Sequence, residues 1–125
     1  MERQIPTVWS VWGSGREWME LDASSAGERV VLDSPGWFAW LAADSTRRFA
    51  YAIFDRQLGY TVGFLTVRKE RRQRGGGYWV AYRRVGGQVR KAYIGSTGAV
   101  TAERLQAIAY QLRGKEVAST EQGDQ

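Results

Sequence analysis

The sequence predicts an α+β fold: a three- to four-stranded antiparallel sheet packed against a C-terminal helix, with a short Trp-rich N-terminal helix. Three observations carry that expectation. Between Arg47 and Gly95 apolar residues recur with a period of two, interrupted by glycine-rich breaks. From Thr101 the period becomes that of an amphipathic helix. Before both, "SPGWFAWL" (34–41) carries the start signal of a shorter helix. A chain of 125 residues, 43% apolar and with 16 aromatic side chains, suffices for one hydrophobic core.

In chain order, "IPTVWSVW" (5–12) reads as a short extended segment that "GSG" interrupts. Residues 16–33 hold an apolar and acidic stretch, a Ser/Ala/Gly loop and a strand at Arg29–Leu32. Ser34 is placed as N-cap with Pro35 at the first helical position, and Trp37, Phe38, Trp40 and Leu41 follow at helical spacing. "RRFAYAIF" alternates Phe49, Tyr51 and Ile53, "DRQLGY" turns, and "TVGFLTVRKERR" continues as a second strand. "YWVAYRR" and "QVRKAYIG" form a hairpin across Gly86-Gly87, since a type I′ turn needs positive φ at both central residues. Thr101 caps the last helix, Leu105, Ile108, Ala109 and Leu112 share its buried face, and Gly114 stops it. Residues 1–33 are expected as a partly ordered extension, 34–114 as the sheet-plus-helix domain, and 115–125 as a disordered tail. Trp9, Trp12, Trp18, Trp37 and Trp40 are read as packing residues.

The hairpin phase sorts side chains by face. Val85 faces Gln88, and the pairing runs back through Tyr82 and Lys91 to Val80 and Tyr93, then Trp79 and Ile94. One face then carries Trp79, Ala81, Ala92 and Ile94, with Arg83 and Arg90 at the turn end. That face suits the helix. The other carries Val80, Tyr82, Arg84, Val89, Lys91 and Tyr93, extended on the preceding strand by Thr66, Arg68 and Glu70.

Charge is concentrated in the same region. Residues 68–91 hold nine Lys/Arg against one Glu, whereas the whole chain carries only +5. A single-sign block on a near-neutral body is the electrostatic footprint of a polyanion binder. With no cysteine, disulfides and thiolate metal sites are excluded; with no histidine, zinc sites and histidine-based acid, base or nucleophile chemistry are excluded too. "RGGG" (74–77) is not followed by Gly-Lys-Ser/Thr and leads into a strand, so it is an inter-strand loop rather than a phosphate cradle. Glu17, Glu20 and Asp22 read as a solvated edge. Neither a signal-peptide pattern nor an apolar run approaching about 18 residues is present, so a soluble cytoplasmic protein without membrane contact is expected.

The basic strand, the "YWVAYR" strand, the glycine turn, the strand closing on "AYIG" (92–95) and the Thr-led helix resemble the arm-type DNA-binding domain of phage and transposon integrases. They are similar in plan to the apetala/ethylene-response-factor domain of plants. That resemblance implies a sheet whose one face packs on the helix and whose other lies in the DNA major groove, with Tyr82, Arg84, Lys91 and Tyr93 on the DNA side and Ile94 on the helix side. "SPGWFAWL", the 66–95 segment and "TAERLQAIA" together also resemble an uncharacterised bacterial segment, found alone or at the N-terminal flank of large ATP-dependent regulators of the LuxR/MalT type; that match covers about residues 34–110 and implies no defined activity. Without histidine the recombinase set of arginines, histidine and nucleophilic tyrosine cannot be completed, and Tyr110 is read as packing.

The sequence therefore predicts a non-catalytic double-stranded DNA-binding protein, regulatory or mobile-element associated, with no cofactor and no metal. Its nucleic-acid-binding residues are expected to be Arg68, Arg71, Arg72, Arg74, Tyr82, Arg84, Lys91 and Tyr93. The alternatives are RNA or single-strand binding by the same face, and a protein-interaction module that docks an acidic partner.

Overall fold

In the computed structural model, which describes residues 5–23, 28–71 and 77–113, Gly86 and Gly87 have φ of 59° and 82°. Both central residues of the turn are left-handed, as a type I′ hairpin needs. It joins β6 (Gly77–Val85) to β7 (Gln88–Gly95), paired from Val85↔Gln88 to Val80↔Tyr93 in the phase the sequence predicts. Beyond that the register shifts, and Trp79 lies opposite Gly95 instead of Ile94. Gly95 has φ of 125°, backbone that side chains rarely adopt, and there the chain leaves the strand for a short 3-10 turn at Thr97–Ala99.

Two longer strands, β4 (Arg48–Asp55) and β5 (Tyr60–Arg71), extend this hairpin antiparallel. The sheet continues past them. β1 (Thr7–Gly13), β2 (Arg16–Asp22) and β3 (Arg29–Val31) form an antiparallel meander, and β1 joins β4 in parallel through Thr7↔Ala50 and Val8↔Tyr51. Among the described residues the order is β3-β2-β1-β4-β5-β6-β7.

The expected three- to four-stranded antiparallel sheet with a C-terminal helix is thus corrected to a seven-stranded mixed sheet with two short helices. The local pattern concealed this. In β1 the fully buried Val8 alternates with a 40%-exposed Trp9, and Trp12 is 60% exposed, so the largest apolar residues lie outside the core. In β2, "REWMELD", acidic and apolar residues occur on both faces. A parallel pair of strands far apart in sequence has no local signature at all.

The helices α1 (Pro35–Ala42) and α2 (Ala102–Gln111) start as their caps dictate: Ser34 Oγ accepts the Trp37 amide at 3.2 Å and Thr101 Oγ1 accepts the Arg104 amide at 3.1 Å. α1 is the connection that returns the chain from β3 to β4, the crossover a parallel pair requires. Trp37, fully buried, packs edge-on against Phe49, whose ring centroid lies 5.7 Å from that of Trp79. Its indole Nε1 donates to the Val100 carbonyl at 2.8 Å, tying α1 to the segment that enters α2. Asp33, left-handed at φ 68°, accepts the Ala102 amide at 3.0 Å and so links the end of β3 to the start of α2. Leu105 and Ile108 of α2, with the C-cap residue Leu112, complete one core with Val8, Leu21, Tyr51, Leu65 and Val67. Both helices thereby cover the same face, and no helix among the described residues is long and apolar enough to cross a membrane.

Candidate nucleic-acid interface

Strand alternation decides what the helix-free face displays. In β5, Leu65, Val67 and Lys69 point to the helices while Thr66, Arg68 and Glu70 point away. Lys69 Nζ donates to the Ala43 carbonyl at 3.1 Å and lies 5.3 Å from the Trp79 ring, so this cation is part of the packed side. In β6 and β7 the outward set is Tyr78, Val80, Tyr82 and Arg84 with Val89, Lys91 and Tyr93. The structure therefore brings Arg68, Tyr82, Arg84, Lys91 and Tyr93 onto one face. Arg68, Arg84, Lys91 and Tyr93 are exposed and Tyr82 is half-buried. Arg71, also exposed, shares the phase of Val67 and Lys69 at the strand's end and does not join them. Arg72 and Arg74 lie outside the described residues.

The tyrosines of this face are held in place. Tyr82 donates its hydroxyl to one carboxylate oxygen of Glu70, and Tyr78 donates to the other at 3.4 Å. The Arg68 guanidinium stands 5.9 Å from the Tyr82 ring centroid, within cation–π range. Bonding to Glu70, with smaller contributions from burial and the carboxylate's charge, raises the Tyr82 pKa above the ordinary phenol value, so the group remains a neutral donor. Tyr78 and Tyr93 tilt against each other at 5.6 Å across β6 and β7 and border the buried Val80. The result is a basic surface with aromatic platforms whose rings have little freedom.

Across the same face the character changes. On β4, the small residues Ala50 and Ala52 share this face, and Trp9 of β1 meets Phe64 of β5 edge-on, at 5.8 Å. Beyond that bridge stand Trp18, Glu20 and Asp22, with Trp18 Nε1 donating to Glu20 at 2.8 Å and Arg29 facing Glu20 at 3.9 Å. The basic half thus spans β5–β7 and the start of β4, where the exposed Arg48 lies opposite Arg68.

Sequence reasoning passed over Glu70 and Tyr78 as functional residues. Glu70 was visible in the outward phase, but its bonds depend on cross-strand geometry, which alternation alone does not supply. Nor are all five early tryptophans core: Trp37 is, whereas Trp9 and Trp12 are exposed. The chain matches no protein-family model, no curated protein and no solved structure.

Proposed function

We propose that the protein binds double-stranded DNA, without catalysing a reaction on it, through the open face of β5–β7, as a regulatory or mobile-element-associated factor. One observation carries this reading: Arg68, Arg84 and Lys91 share an exposed, helix-free face with Tyr82 and Tyr93 at the edge of the sheet. Dimensions support it. Strands lie about 4.8 Å apart, so the β6–β7 ribbon at the sheet edge fits a major groove about 12 Å wide. Arg84 and Lys91, near the tip of that ribbon, reach phosphates or guanine edges, while Tyr93 and Tyr82 supply contacts to sugars and thymine methyls. Arg68, on the neighbouring strand, meets the flanking backbone. Arg72 and Arg74 add charge in the segment between β5 and β6.

The test is a titration of the full chain against one duplex, its separated strands and an RNA of the same sequence at a single salt concentration. Tightest binding to the duplex is expected. If four to six cations neutralise phosphates, log affinity should fall against log salt with a slope of about −4 to −5. Preference for RNA or single strands, or a slope near zero, would overturn the duplex reading.

A further inference from the structure

The open face of the sheet continues past its basic half into an aromatic one. Trp9 and Phe64 are 40% and 47% exposed, although each is large and apolar enough to stabilise a core if buried. β4 separates their strands, so the rings meet above it, beside Ala52, which pairs with Phe64 and is itself buried. Set edge-on at 89°, they leave one ring with both faces uncovered by the other. An exposed aromatic pair on a face that no helix covers marks a contact surface.

Two cations lie along the same strands. Arg48 stands directly opposite Arg68 in the β4–β5 register, both are exposed, and neither is in an ion pair among the described residues. Like charges directly opposite each other on a sheet are destabilising. An anion between them offsets that repulsion. From this pair to Ala52 and Phe64 is four residues along each strand, about 14 Å at 3.4 Å per residue. Beyond the rings the sign of the face reverses, at Glu20 and Asp22 of β2.

That sequence of charge selects the occupant. A duplex extended over the aromatic half would carry its phosphates toward Glu20 and Asp22, whereas a single strand can leave a phosphate at the arginines and lay its bases on the rings. Every base has a π face, so such stacking tolerates any sequence. We propose that the protein binds DNA at a junction: the duplex lies on β5–β7, the first unpaired phosphate sits between Arg48 and Arg68, and the unpaired bases that follow stack on Phe64 and Trp9. This arrangement rests on duplex binding by the basic half, and it names the DNA that fits both halves, a duplex with a single-stranded extension.

The experiment is a titration of the full chain against three DNAs at one salt concentration: a blunt duplex, the same duplex with an unpaired 3′ or 5′ extension of about four nucleotides, and that duplex with the extension abasic. With at least one polarity, the extended duplex should bind about fivefold or more tighter than the blunt one, the factor one stacked base supplies, and the abasic extension should lose most of that advantage. Trp9→Leu with Phe64→Leu keeps apolar cover over Ala52 and removes both rings. It should lower the extended duplex to the affinity of the abasic one and leave the blunt duplex unchanged. Arg48→Ala should reduce the salt slope on the extended duplex by about 0.7, the share of one single-strand phosphate. Equal affinity for blunt and extended duplexes, an abasic extension that binds as well as the natural one, a folded double variant that keeps the advantage, or an unchanged slope would each overturn the proposal and leave duplex binding standing. So would a dimeric full chain that the double variant makes monomeric, since a second copy would then occupy the face. A blunt duplex that does not bind at all would instead remove the duplex reading, and the junction with it.

Discussion

Arg83 and Arg84 are adjacent in sequence and have opposite surroundings, because alternation along β6 sends one under α2 and the other into solvent. Substitutions on the two faces should separate accordingly. Arg84→Ala with Lys91→Ala removes two exposed cations, so stability should change by only about 0.5 kcal/mol per site, while duplex affinity falls strongly. Trp79→Ala should do the reverse, costing about 3–5 kcal/mol by opening a void beside Phe49. Paired melting curves and duplex titrations read both, and a folded double variant that binds normally would remove the proposed face. Tyr51 makes a different prediction. Its pKa, raised by burial and by the charge of Glu17, means the folded state favours the neutral phenol, so its contribution is complete below the ordinary phenol pKa of about 10 and is lost as pH rises beyond it. Melting temperatures between pH 9 and 11 should fall more steeply in the wild type than in Tyr51→Phe. Parallel declines would show that burial of the phenol has no such linkage.

Elements differed in how far the sequence revealed them. The β6–β7 hairpin was legible because its determinants are local: two glycines with the required φ and alternating strands on either side. Both helix starts were legible for the same reason, since Ser34 and Thr101 each satisfy an amide three residues on. From strand phase alone, Arg68, Tyr82, Arg84, Lys91 and Tyr93 could be placed together. The N-terminal strands could not, as the exposed Trp9 and Trp12 and the mixed faces of "REWMELD" obscure which side is buried. Arg83 was visible in the helix-side phase, but the space that receives it depends on Gly63, a strand away. The hairpin offers a direct test of local determination. Gly87→Ala places a Cβ on a residue at φ 82° with no atom nearby to clash, so the effect is backbone strain alone, about 1–2 kcal/mol. Chemical denaturation should show that loss, and the duplex titration should be almost unaffected at temperatures where the variant is folded.

At the scale of the molecule, the two parts of the sheet share a core but meet along a short seam, Thr7↔Ala50 and Val8↔Tyr51, where β1 and β4 run parallel. Removing residues 1–33 takes Val8, Leu21 and Leu32 from the core and uncovers the edge of β4. Such a chain should lose its cooperative melting and associate through the bared edge, seen by size-exclusion chromatography at rising concentration. A sharp monomeric transition matching the full chain's would show that β4–β7 and the helices are sufficient by themselves.

The same seam sets an order of events during synthesis. β1, β2 and β3 leave the ribosome before their neighbour in the sheet exists, and at about 5–20 residues per second β4 follows only seconds later. During that interval the nascent meander presents an unpaired edge and an uncovered apolar side. Translation slowed between Val31 and Arg48 would prolong the exposure.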